Sequence, residues 1–528
     1  MQSNVFKKWG LRAAILVLVL MVLGVIGLIF QVYDVIDRIY GGQATVADYA
    51  QFETEVTPTV ITGVSVLSPD GTEMLANRTV LLDNGKIISI SQGENTNANL
   101  PEGVLRVDGS GKFLIPGLAD SHIHLQRSPN DFLLYVANGV TQVRSMGGSD
   151  PDLVLREEIK GGRIGPHFYV SSPSMNSESG FGEVVSAPNW VPGPLLTWFI
   201  ETSANTQITS NTKEAVKEAR AFIEKGHDGL KLYGFLTMES YHAILDVAEE
   251  LDVPTVGHLP DAMPLSELRT IKLDEIAHIE EIVKALLREF GKFNSQDGDA
   301  FLALVNSRKE EIVDDLKAND IAVHSTLWLM ESLEGQIFDL ESKMKEVQIE
   351  YANPGIVEGH PDAGTGWLPG LNKFPTYAGE TPEEIEENKE FWEVREKAHH
   401  ILLNAMIEQG VSVLAATDSN GWLIVPGFAL HDELQSLNRA GMTPAQALYS
   451  ATAAVAKAIN SNAGVVEEGR RADLILLTAN PLIKIENTTA IDTVILNGRV
   501  LDRAMLDEML EAVKTANASS RTIELNLD

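Results

Sequence analysis

The sequence predicts an α/β protein with three parts: a (β/α)8 barrel of the TIM type, a small composite β-sandwich domain, and an N-terminal transmembrane helix. Three observations predict this arrangement. An uncharged apolar run lies near the N-terminus, short strands with hairpin turns occur toward both ends, and buried strands alternate with amphipathic helices between them. The chain has 528 residues, of which 44% are apolar, so it can bury the cores of more than one domain.

The N-terminal segment, residues 1–30, is a candidate membrane anchor. Residues 13–30 carry no charge, and as a helix rising about 1.5 Å per residue they nearly cross a hydrocarbon core of roughly 30 Å. Lys7, Lys8 and Arg12 precede this run, so the positive-inside rule places the rest of the chain outside the cytoplasm, in the periplasm or the extracellular space. The alternative is a cleaved signal peptide, which would release a secreted protein. Its apolar region is usually shorter, and no A-x-A site follows directly.

A linker and a small β domain follow. Residues 31–56 are a mixed polar stretch and are predicted to be the linker. Strands of period two then occupy residues 57–113 and, near the other end, residues 465–510. The hairpin turns are predicted at Asp70-Gly71, Asn84-Gly85 and Asn497-Gly498. Hairpins this short are seldom stable alone, so strands from both ends are expected to share one composite domain.

The central region, residues 114–464, is predicted to form the barrel. Its eight strand candidates are FLIPGLADSHIH, VTQVRSM, HFYVSS, GLKLYG, VPTVGH, DEIAHIE, DIAVHSTL and GVSVLAATD. Between them, NTKEAVKEARAFIEKG and MESYHAILDVAEELD carry apolar residues at spacings of three and four, as amphipathic helices do. Alternating strands and helices predict a parallel sheet, and eight units predict a closed barrel with its chemistry at the C-terminal ends of the strands.

Two excursions interrupt this pattern. A charged helical insertion is predicted around residues 331–397, and within it ANPGIVEGHPDAGTGWLPGLNKFP is either a loop over the barrel mouth or an inert surface excursion. After the third strand, APNWVPGPLLTWFIETS concentrates aromatic and aliphatic residues. These side chains are either buried under the barrel rim or available to contact a bilayer or a second copy of the chain.

Composition excludes several functions. The 74 acidic residues outnumber the 41 Lys and Arg residues and give a formal charge of −33, which disfavours nucleic acid as a partner. The chain has no cysteine, so disulfides and thiolate metal sites are excluded. Any transition metal must therefore be held by histidine, carboxylate or a modified side chain.

Titratable residues lie at the ends of the predicted strands. They are His122, His124, Lys231, His258, His278 and Asp418. His122 and His124 lie two residues apart and point to the same side of their strand, so both can bind one metal ion. Imidazole and carboxylate ligands suit Zn²⁺, which activates a bound water. Each residue alone has a simpler structural explanation, such as Asp418 capping a helix, but six at matching strand ends favour a metal site.

Several motifs in order carry a resemblance to a known family. PGLADSHIHL resembles the PGLxDxHxHL motif of the amidohydrolase superfamily, and DGLKLYG, VGHLP, AHIEE and LAATDSNG follow in the order expected of its imidazolonepropionase-like and metal-dependent prolidase-type group. LHDELQSLNRAGMTPAQALYSATAAVAKAI and GVVEEGRRADLILLTANPL resemble the family's C-terminal signature. The resemblance extends from about Ile61 to Leu501. Two departures are Ser145, where relatives often have Asp, and His324, where a small residue or proline is expected.

The resemblance implies a centre of two divalent metal ions, most simply Zn²⁺. His122, His124 and Asp418 would bind one ion, His258 and His278 the other, and Lys231, carboxylated by CO₂, would bridge them. Asp418 would act as general base and then general acid on a hydroxide that bridges the metals.

Two further residues are candidates beside this centre. Tyr233 would donate a hydrogen bond to the substrate carbonyl, or is an ordinary aromatic at the barrel mouth. Arg144 would bind a substrate carboxylate or, as we expect, pair with an acid inside the barrel.

The predicted function is a membrane-anchored, extracytoplasmic metal-dependent hydrolase of an amide or peptide-like C–N bond in a small substrate such as a dipeptide. The alternatives are a cyclic-amide hydrolase, or a lactonase or esterase using the same site. A non-enzymatic, membrane-tethered binding protein is the rival class, but such a protein would be expected to have lost metal ligands, and all six are present. The exact substrate and the formation of a homo-oligomer are left open by the sequence.

Overall fold

The chain was analysed as a computed structural model that describes residues 2–93, 100–179, 201, 205–359 and 364–525. Its first element is helix α1, Gln2–Ile39. The stretch Ile15–Ile39 is long and apolar enough to cross a membrane, with a mean hydropathy of 3.0, and its most apolar 18-residue window is not buried against the rest of the described chain. This helix fits a membrane anchor or a signal sequence.

Residues 31–56, predicted to be a linker, are docked on the rest of the protein. Helix α1 continues to Ile39, and Ile36 is only 1% exposed. The next turn is held by two hydrogen bonds: the Arg127 amide donates to the Tyr40 carbonyl at 2.9 Å, and the Asn353 side chain donates to the Gly41 carbonyl at 3.1 Å. The end of α1 therefore has a defined position on the protein surface.

An eight-stranded sheet joins the two ends of the chain. Its order is β18-β17-β16-β5-β1-β2-β3, with β4 beside β1. The strands are β1 Thr59–Leu67, β2 Met74–Asp83, β3 Lys86–Gln92, β4 Leu105–Asp108, β5 Phe113–Pro116, β16 Leu474–Leu477, β17 Ile491–Leu496 and β18 Arg499–Asp502. The predicted hairpins at Asn84-Gly85 and Asn497-Gly498 are confirmed, and all four residues adopt the positive φ that such two-residue turns require.

The central strands are all parallel, and each of the eight predicted runs contains one. Strands β6 Leu118–Ile123, β7 Val140–Ser145 and β8 His167–Val170 form one sheet. The second sheet has the order β10-β9-β11-β12-β13-β14-β15, with β9 Ser174–Ser177, β10 Thr206–Thr209, β11 Leu230–Leu232, β12 Thr255–Gly257, β13 Glu275–Ile276, β14 Ala322–His324 and β15 Val413–Leu414. Two single parallel bridges join the sheets. One pairs Ser171, after β8, with Gly229, before β11, and the other pairs Ile123, in β6, with Ser419, after β15.

The first run, predicted as one strand, is two strands that belong to different sheets. Strand β5 pairs with β1 and β16, whereas β6 pairs with β7. Gly117 lies at the break, where a Cβ atom would overlap the Thr141 side chain. The close approach of the two backbones thus requires glycine, and it delivers β6 to the interior with His122 near its end.

Helices connect the strands. They are α2 Asp131–Ala137, α3 Asp150–Lys160, α4 Thr212–Lys225, α5 Met238–Leu251, α6 Glu280–Phe290, α7 Gly298–Ala318, α8 Leu327–Phe338, α9 Leu340–Glu346, α10 Pro354–Glu358, α11 Pro382–Gln409, α12 Phe428–Arg439, α13 Pro444–Ser450, α14 Ala453–Ala458 and α15 Arg503–Ser520. The two predicted helices are confirmed as α4 and α5. Helix α4 begins where the Asn211 side chain accepts from the Glu214 amide and ends at Gly226, whose φ is +100°.

The helical insertion packs as a compact layer. Trp367 and Val357 are almost fully buried in an apolar cluster that also contains Trp328 and Ile424. None of the described residues of the insertion lines the cavity at the C-terminal ends of the central strands, so the described part is a packed layer beside these strands rather than a lid. The aromatic excursion after the third strand, with Trp190 and Trp198, lies almost entirely outside the described residues.

Candidate metal centre and its cavity

The predicted site residues come together at the C-terminal ends of the central strands. Six of the seven line one cavity of about 1190 Å³: His124, Lys231, Tyr233, His258, His278 and Asp418. The seventh, His122, is fully buried directly behind them. Residues more than 290 positions apart in the chain therefore share one site.

His122 and His124 meet at one carboxylate, Asp418. Oδ1 of Asp418 lies 3.4 Å from Nε2 of His122 and 3.0 Å from Nε2 of His124. The two imidazole rings have their centroids 5.3 Å apart. The two histidines thus approach one point from the same side of their strand, as their spacing predicts.

The backbone holds Asp418 in place. Its φ of 58° lies in the left-handed region, and its amide donates to the His122 carbonyl at 2.8 Å. Beside it, the Thr417 hydroxyl donates to Asp120 at 2.6 Å, and the amides of Thr417 and His122 donate to the other oxygen of Asp120. Asp120 therefore locks the ends of the first and last strands together. The strand-end pattern predicts no role for Asp120, although the family motif contains this aspartate.

His258 and His278 form the other half of the site. Their ring centroids are 4.9 Å apart, and the His278 ring lies 4.7 Å from that of His122. One ligand atom each from His122, His278 and Asp418 lies within 4.8 Å of the others. Nδ1 of His258 donates to Glu281 at 3.0 Å, which leaves its Nε2 free to act as a ligand.

Lys231 is an unusual lysine. It is 1% exposed, and its Nζ has no hydrogen-bond partner among the described residues. Burial lowers the pKa of its ammonium to about 8, although Asp418, Glu281 and Glu275 act in the opposite direction. A substantial fraction of this amine is therefore neutral and nucleophilic at mildly alkaline pH.

A buried charge network lies beneath the site. Arg144 binds Glu275 through two hydrogen bonds of 2.9 and 3.0 Å, and Nε2 of His324 donates to the same carboxylate at 2.6 Å. All three side chains are at most 3% exposed. Burial alone would raise the pKa of Glu275, but the charge of Arg144 and the hydrogen bond from His324 lower it to about 2. The expected pairing of Arg144 with a barrel acid is confirmed.

This network determines the tautomer of His122. Burial lowers the pKa of His324 to about 4, so the ring is neutral at pH 7. Nε2 of this neutral ring carries the hydrogen and donates it in a hydrogen bond to Glu275. Nδ1 of His324 is therefore unprotonated and accepts a hydrogen bond. That atom lies 3.3 Å from Nδ1 of His122, which must then be the donor and which also lies 3.2 Å from the Ala277 carbonyl. The lone pair of His122 is consequently on Nε2, facing Asp418.

The donor set fits a cation. Nε2 of His122 and Oδ1 of Asp418 are both acceptors and face each other at 3.4 Å. Nε2 of His122 has no hydrogen-bond partner within the described chain, and Oδ1 of Asp418 has Nε2 of His124 at 3.0 Å. Two buried lone pairs at this distance repel unless a positive charge lies between them. Histidine nitrogen and carboxylate oxygen are ligands that Zn²⁺ accepts.

Tyr233 lies beside His258, with ring centroids 4.2 Å apart. Burial raises the pKa of its phenol to about 12, so the hydroxyl stays protonated and is a hydrogen-bond donor at neutral pH. The cavity that it lines extends outward to Tyr40 and Val46, at the end of α1, and to Val154 on α3.

The profile of the amidohydrolase family matches residues 113–501. This range includes every predicted site residue and most of the chain. It agrees with the resemblance that the motifs carry.

Individual relatives are similar over a short segment or in fold. Imidazolonepropionase from Cutibacterium acnes (strain DSM 16379 / KPA171202) is 41% identical over 80 residues, which are 14% of this chain and 19% of that protein. A putative prolidase from Bifidobacterium longum superposes with a TM-score of 0.57 at 19% identity, covering 87% of this chain and all of that one. A bottromycin amidohydrolase superposes with a TM-score of 0.64 at 19% identity, covering 91% of this chain and 96% of that one. At these identities the structural likeness shows the fold.

Proposed function

This chain belongs to the amidohydrolase family, and from that premise we propose that it is a metal-dependent hydrolase of an amide or peptide-like C–N bond in a small substrate. The opposed acceptors of His122 and Asp418 carry the proposal, because a cation between them would satisfy both lone pairs at the bottom of an open cavity. The prolidase and imidazolonepropionase names among its relatives favour a C–N bond over an ester.

We assign the ligands as the family resemblance implies. His122, His124 and Asp418 would hold one divalent ion, and His258 and His278 a second. Such ions, when bound, supply Lewis-acid polarisation of a carbonyl and lower the pKa of water. Zn²⁺ is the expected metal, because the ligands are imidazole and carboxylate.

Lys231 would join the two halves as a carbamate. Its neutral amine attacks the carbon of CO₂, a C–N bond forms, and one amine proton leaves to solvent. The product is an anion with two oxygens, whereas an ammonium would repel both cations. The buried position of Lys231, its unpartnered Nζ and its lowered pKa support this modification.

The chain's own residues then move one proton through the reaction. Asp418, whose pKa the neighbouring histidines and Lys231 hold well below its usual range despite its burial, accepts a proton from the attacking water. The water oxygen bonds to the carbonyl carbon, and Tyr233 donates a hydrogen bond to the carbonyl oxygen as charge develops there. Asp418 returns the proton to the nitrogen as the C–N bond breaks.

The architecture proposed around this site has three parts. The order of the parallel strands and the two single bridges support a closed (β/α)8 barrel over residues 114–464. The eight-stranded sheet supports a composite domain from residues 57–113 and 465–510. Helix α1 would anchor the enzyme with its catalytic part outside the cytoplasm.

A metal analysis of purified full-length protein tests this function. We expect two equivalents of divalent metal and turnover of at least one member of a panel of dipeptides, cyclic amides and lactones. Lys231→Ala should keep its circular dichroism spectrum, lose about one metal equivalent and lose most turnover. Lys217→Ala is the matched control, because that lysine is exposed on α4. Unchanged metal content in Lys231→Ala would contradict the bridging role.

The same panel separates the main alternative. A cyclic-amide hydrolase is favoured by the local identity to imidazolonepropionase, although the alignment spans only 19% of that relative. Preferential cleavage of cyclic amides over dipeptides would select this alternative, and cleavage of lactones alone would select an esterase.

A further inference from the structure

The cavity that contains the proposed metal ligands opens beside the end of the proposed membrane helix. Tyr40 immediately follows α1 and Val46 lies six residues further on, and both line the same cavity as Lys231 and Asp418. Substrate entering through this mouth passes the point where the chain would leave the membrane.

Residues at the mouth contact the end of α1. The Arg127 amide donates to the Tyr40 carbonyl at 2.9 Å, and the Arg127 guanidinium donates to Asp37 at 2.9 Å. Arg127 is only three residues beyond His124. On the other side, Gly355 packs so closely on the Arg38 carbonyl that a Cβ atom would overlap it. The distance from the mouth to the membrane is therefore determined by the helix.

The helix length gives that distance. After Arg12 the next charged residue is Asp34, and the intervening residues 13–33, as a helix, span about 30 Å, the thickness of the hydrocarbon core. Tyr33 would then lie at the outer boundary, where tyrosine is favoured. Tyr40 follows seven residues later, about 10 Å along the helix. Since the headgroup layer on one side is about 5–8 Å thick, the mouth would lie just above the lipid headgroups.

Two apolar side chains near the mouth are accessible to solvent, in a rim that also contains Arg127, Asp150, Glu158 and Arg163. Val46 is 54% exposed and Val154 is 60% exposed. Leu125, Met146, Leu155 and Phe235 line the same cavity further on. The volume of about 1190 Å³ exceeds the roughly 300–1,000 Å³ of ordinary small-molecule sites. A free dipeptide would leave most of this apolar surface uncovered.

We propose that the substrate is a long-chain N-acyl amide drawn from the outer membrane surface, with its acyl chain along the wall that contains Val46 and Val154 and its amide at Asp418. Hydrolysis adds water across the C–N bond and releases a fatty acid and an amine, with no other reactant. This inference rests on the proposed hydrolase function and on the proposed anchor, and it specifies the substrate class of that same site.

The test uses full-length enzyme in phosphatidylcholine vesicles with N-acylglycines whose acyl chains have 2, 8 and 16 carbons. We expect kcat/KM to rise at least tenfold from the shortest to the longest chain. Val46→Asp and Val154→Asp should each reduce the ratio of long-chain to short-chain kcat/KM by about tenfold. Ile483→Asp is the control, because Ile483 is 72% exposed and does not line the cavity, and it should leave all values unchanged.

The outcomes separate this inference from the general function. Equal kcat/KM for all chain lengths, or an unchanged ratio in Val154→Asp, overturns the inference and leaves an amide hydrolase. Cleavage of soluble dipeptides alone has the same meaning. Hydrolysis of no amide by metal-loaded enzyme overturns both proposals. Mass spectrometry of the purified protein gives an independent result, since loss of the N-terminal helix as a signal peptide overturns the membrane source.

Discussion

Two parts of the molecule use the same three groups, a carboxylate held by an arginine and a histidine. The floor triad, Arg144–Glu275–His324, lies beneath the proposed metal site. The junction triad, Arg471–Asp473–His167, lies where the eight-stranded sheet meets strand β8. Burial alone would raise the pKa of either carboxylate, yet the partners lower both to about 2. The triads differ in exposure: Arg144 and His324 are fully buried, whereas Arg471 is 22% and His167 is 32% exposed.

The difference shows how location decides what a triad does. In the floor triad the second nitrogen of the histidine contacts His122, so the network orients a proposed metal ligand. In the junction triad the carboxylate instead accepts from the Asn497 amide at 2.7 Å, while the backbone carbonyl of Asp473 accepts from the Gly117 amide at 2.8 Å. Asp473 therefore connects the hairpin of β17 and β18 to the break between β5 and β6. One triad therefore serves the site, and the other serves the fold.

The largest expected effect comes from breaking the floor triad. Glu275→Gln should lower the free energy of unfolding by about 3–5 kcal/mol, because it leaves the buried Arg144 charge unpaired. The measurement is urea unfolding at pH 7. The double variant Arg144→Met, Glu275→Leu removes both charges and should recover most of the loss. A decrease of less than about 1 kcal/mol in the free energy of unfolding of Glu275→Gln would contradict the conclusion that the Arg144–Glu275 pair is shielded from solvent.

The next effect concerns metal affinity. His324→Phe should weaken metal binding about 10- to 100-fold, because His122 loses the acceptor that orients its ring. Competition with a chelator measures this affinity without an activity assay. His324→Gln keeps an acceptor and should retain more affinity. The matched control is His167→Phe in the junction triad, and an equal loss there would show that the effect is general destabilisation.

The junction triad should make stability depend on acid pH. The pKa of Asp473 is about 2 in the folded protein and near 3.8 in the unfolded chain. Its contribution is thus complete above about pH 4 and is lost as the pH falls toward 2, a difference of about 2 kcal/mol. Urea unfolding at pH 5 and pH 2.5 should show a smaller acid-induced loss in Asp473→Asn than in the unaltered protein. The same slope in both would contradict the assigned pKa.

The smallest expected effect is that of replacing Arg471, the partly exposed arginine of the junction triad. Arg471→Met should cost no more than about 1 kcal/mol, because the guanidinium is accessible to solvent and Asp473 keeps His167 and the Asn497 amide. Thermal unfolding beside Arg144→Met, which should cost several times more, measures the difference. Equal losses would show that exposure does not distinguish the triads.

Much of the fold was accessible from local patterns. The alternation of apolar runs and amphipathic helices predicted eight of the ten described central strands and helices α4 and α5, because side-chain periodicity is a local property. Strands β9 and β10 were not predicted. The break at Gly117 was missed, since the overlap with Thr141 that requires it joins residues from two strands. The docking of residues 31–56 was also missed, because their partners, Arg127 and Asn353, are distant in the chain.

For the candidate site too, local patterns predicted some features, and contacts between distant residues determined the others. Seven residues were predicted from strand ends and from family motifs, and the structure gathers them around one cavity. His324 was noticed only as a departure from the family pattern, with no role assigned. Its role became apparent when Glu275 and His122 were found on either side of its ring.

By itself, the sequence determined the family, the strand and helix pattern, the ligand types and the apolar N-terminal run, because each of these is written in residue identity and short-range spacing. Only the tertiary structure decided which acid pairs with Arg144, which nitrogen of His122 carries the lone pair, and where the cavity opens relative to α1. Those properties depend on contacts between residues tens to hundreds of positions apart, and such contacts are formed by packing rather than by local periodicity.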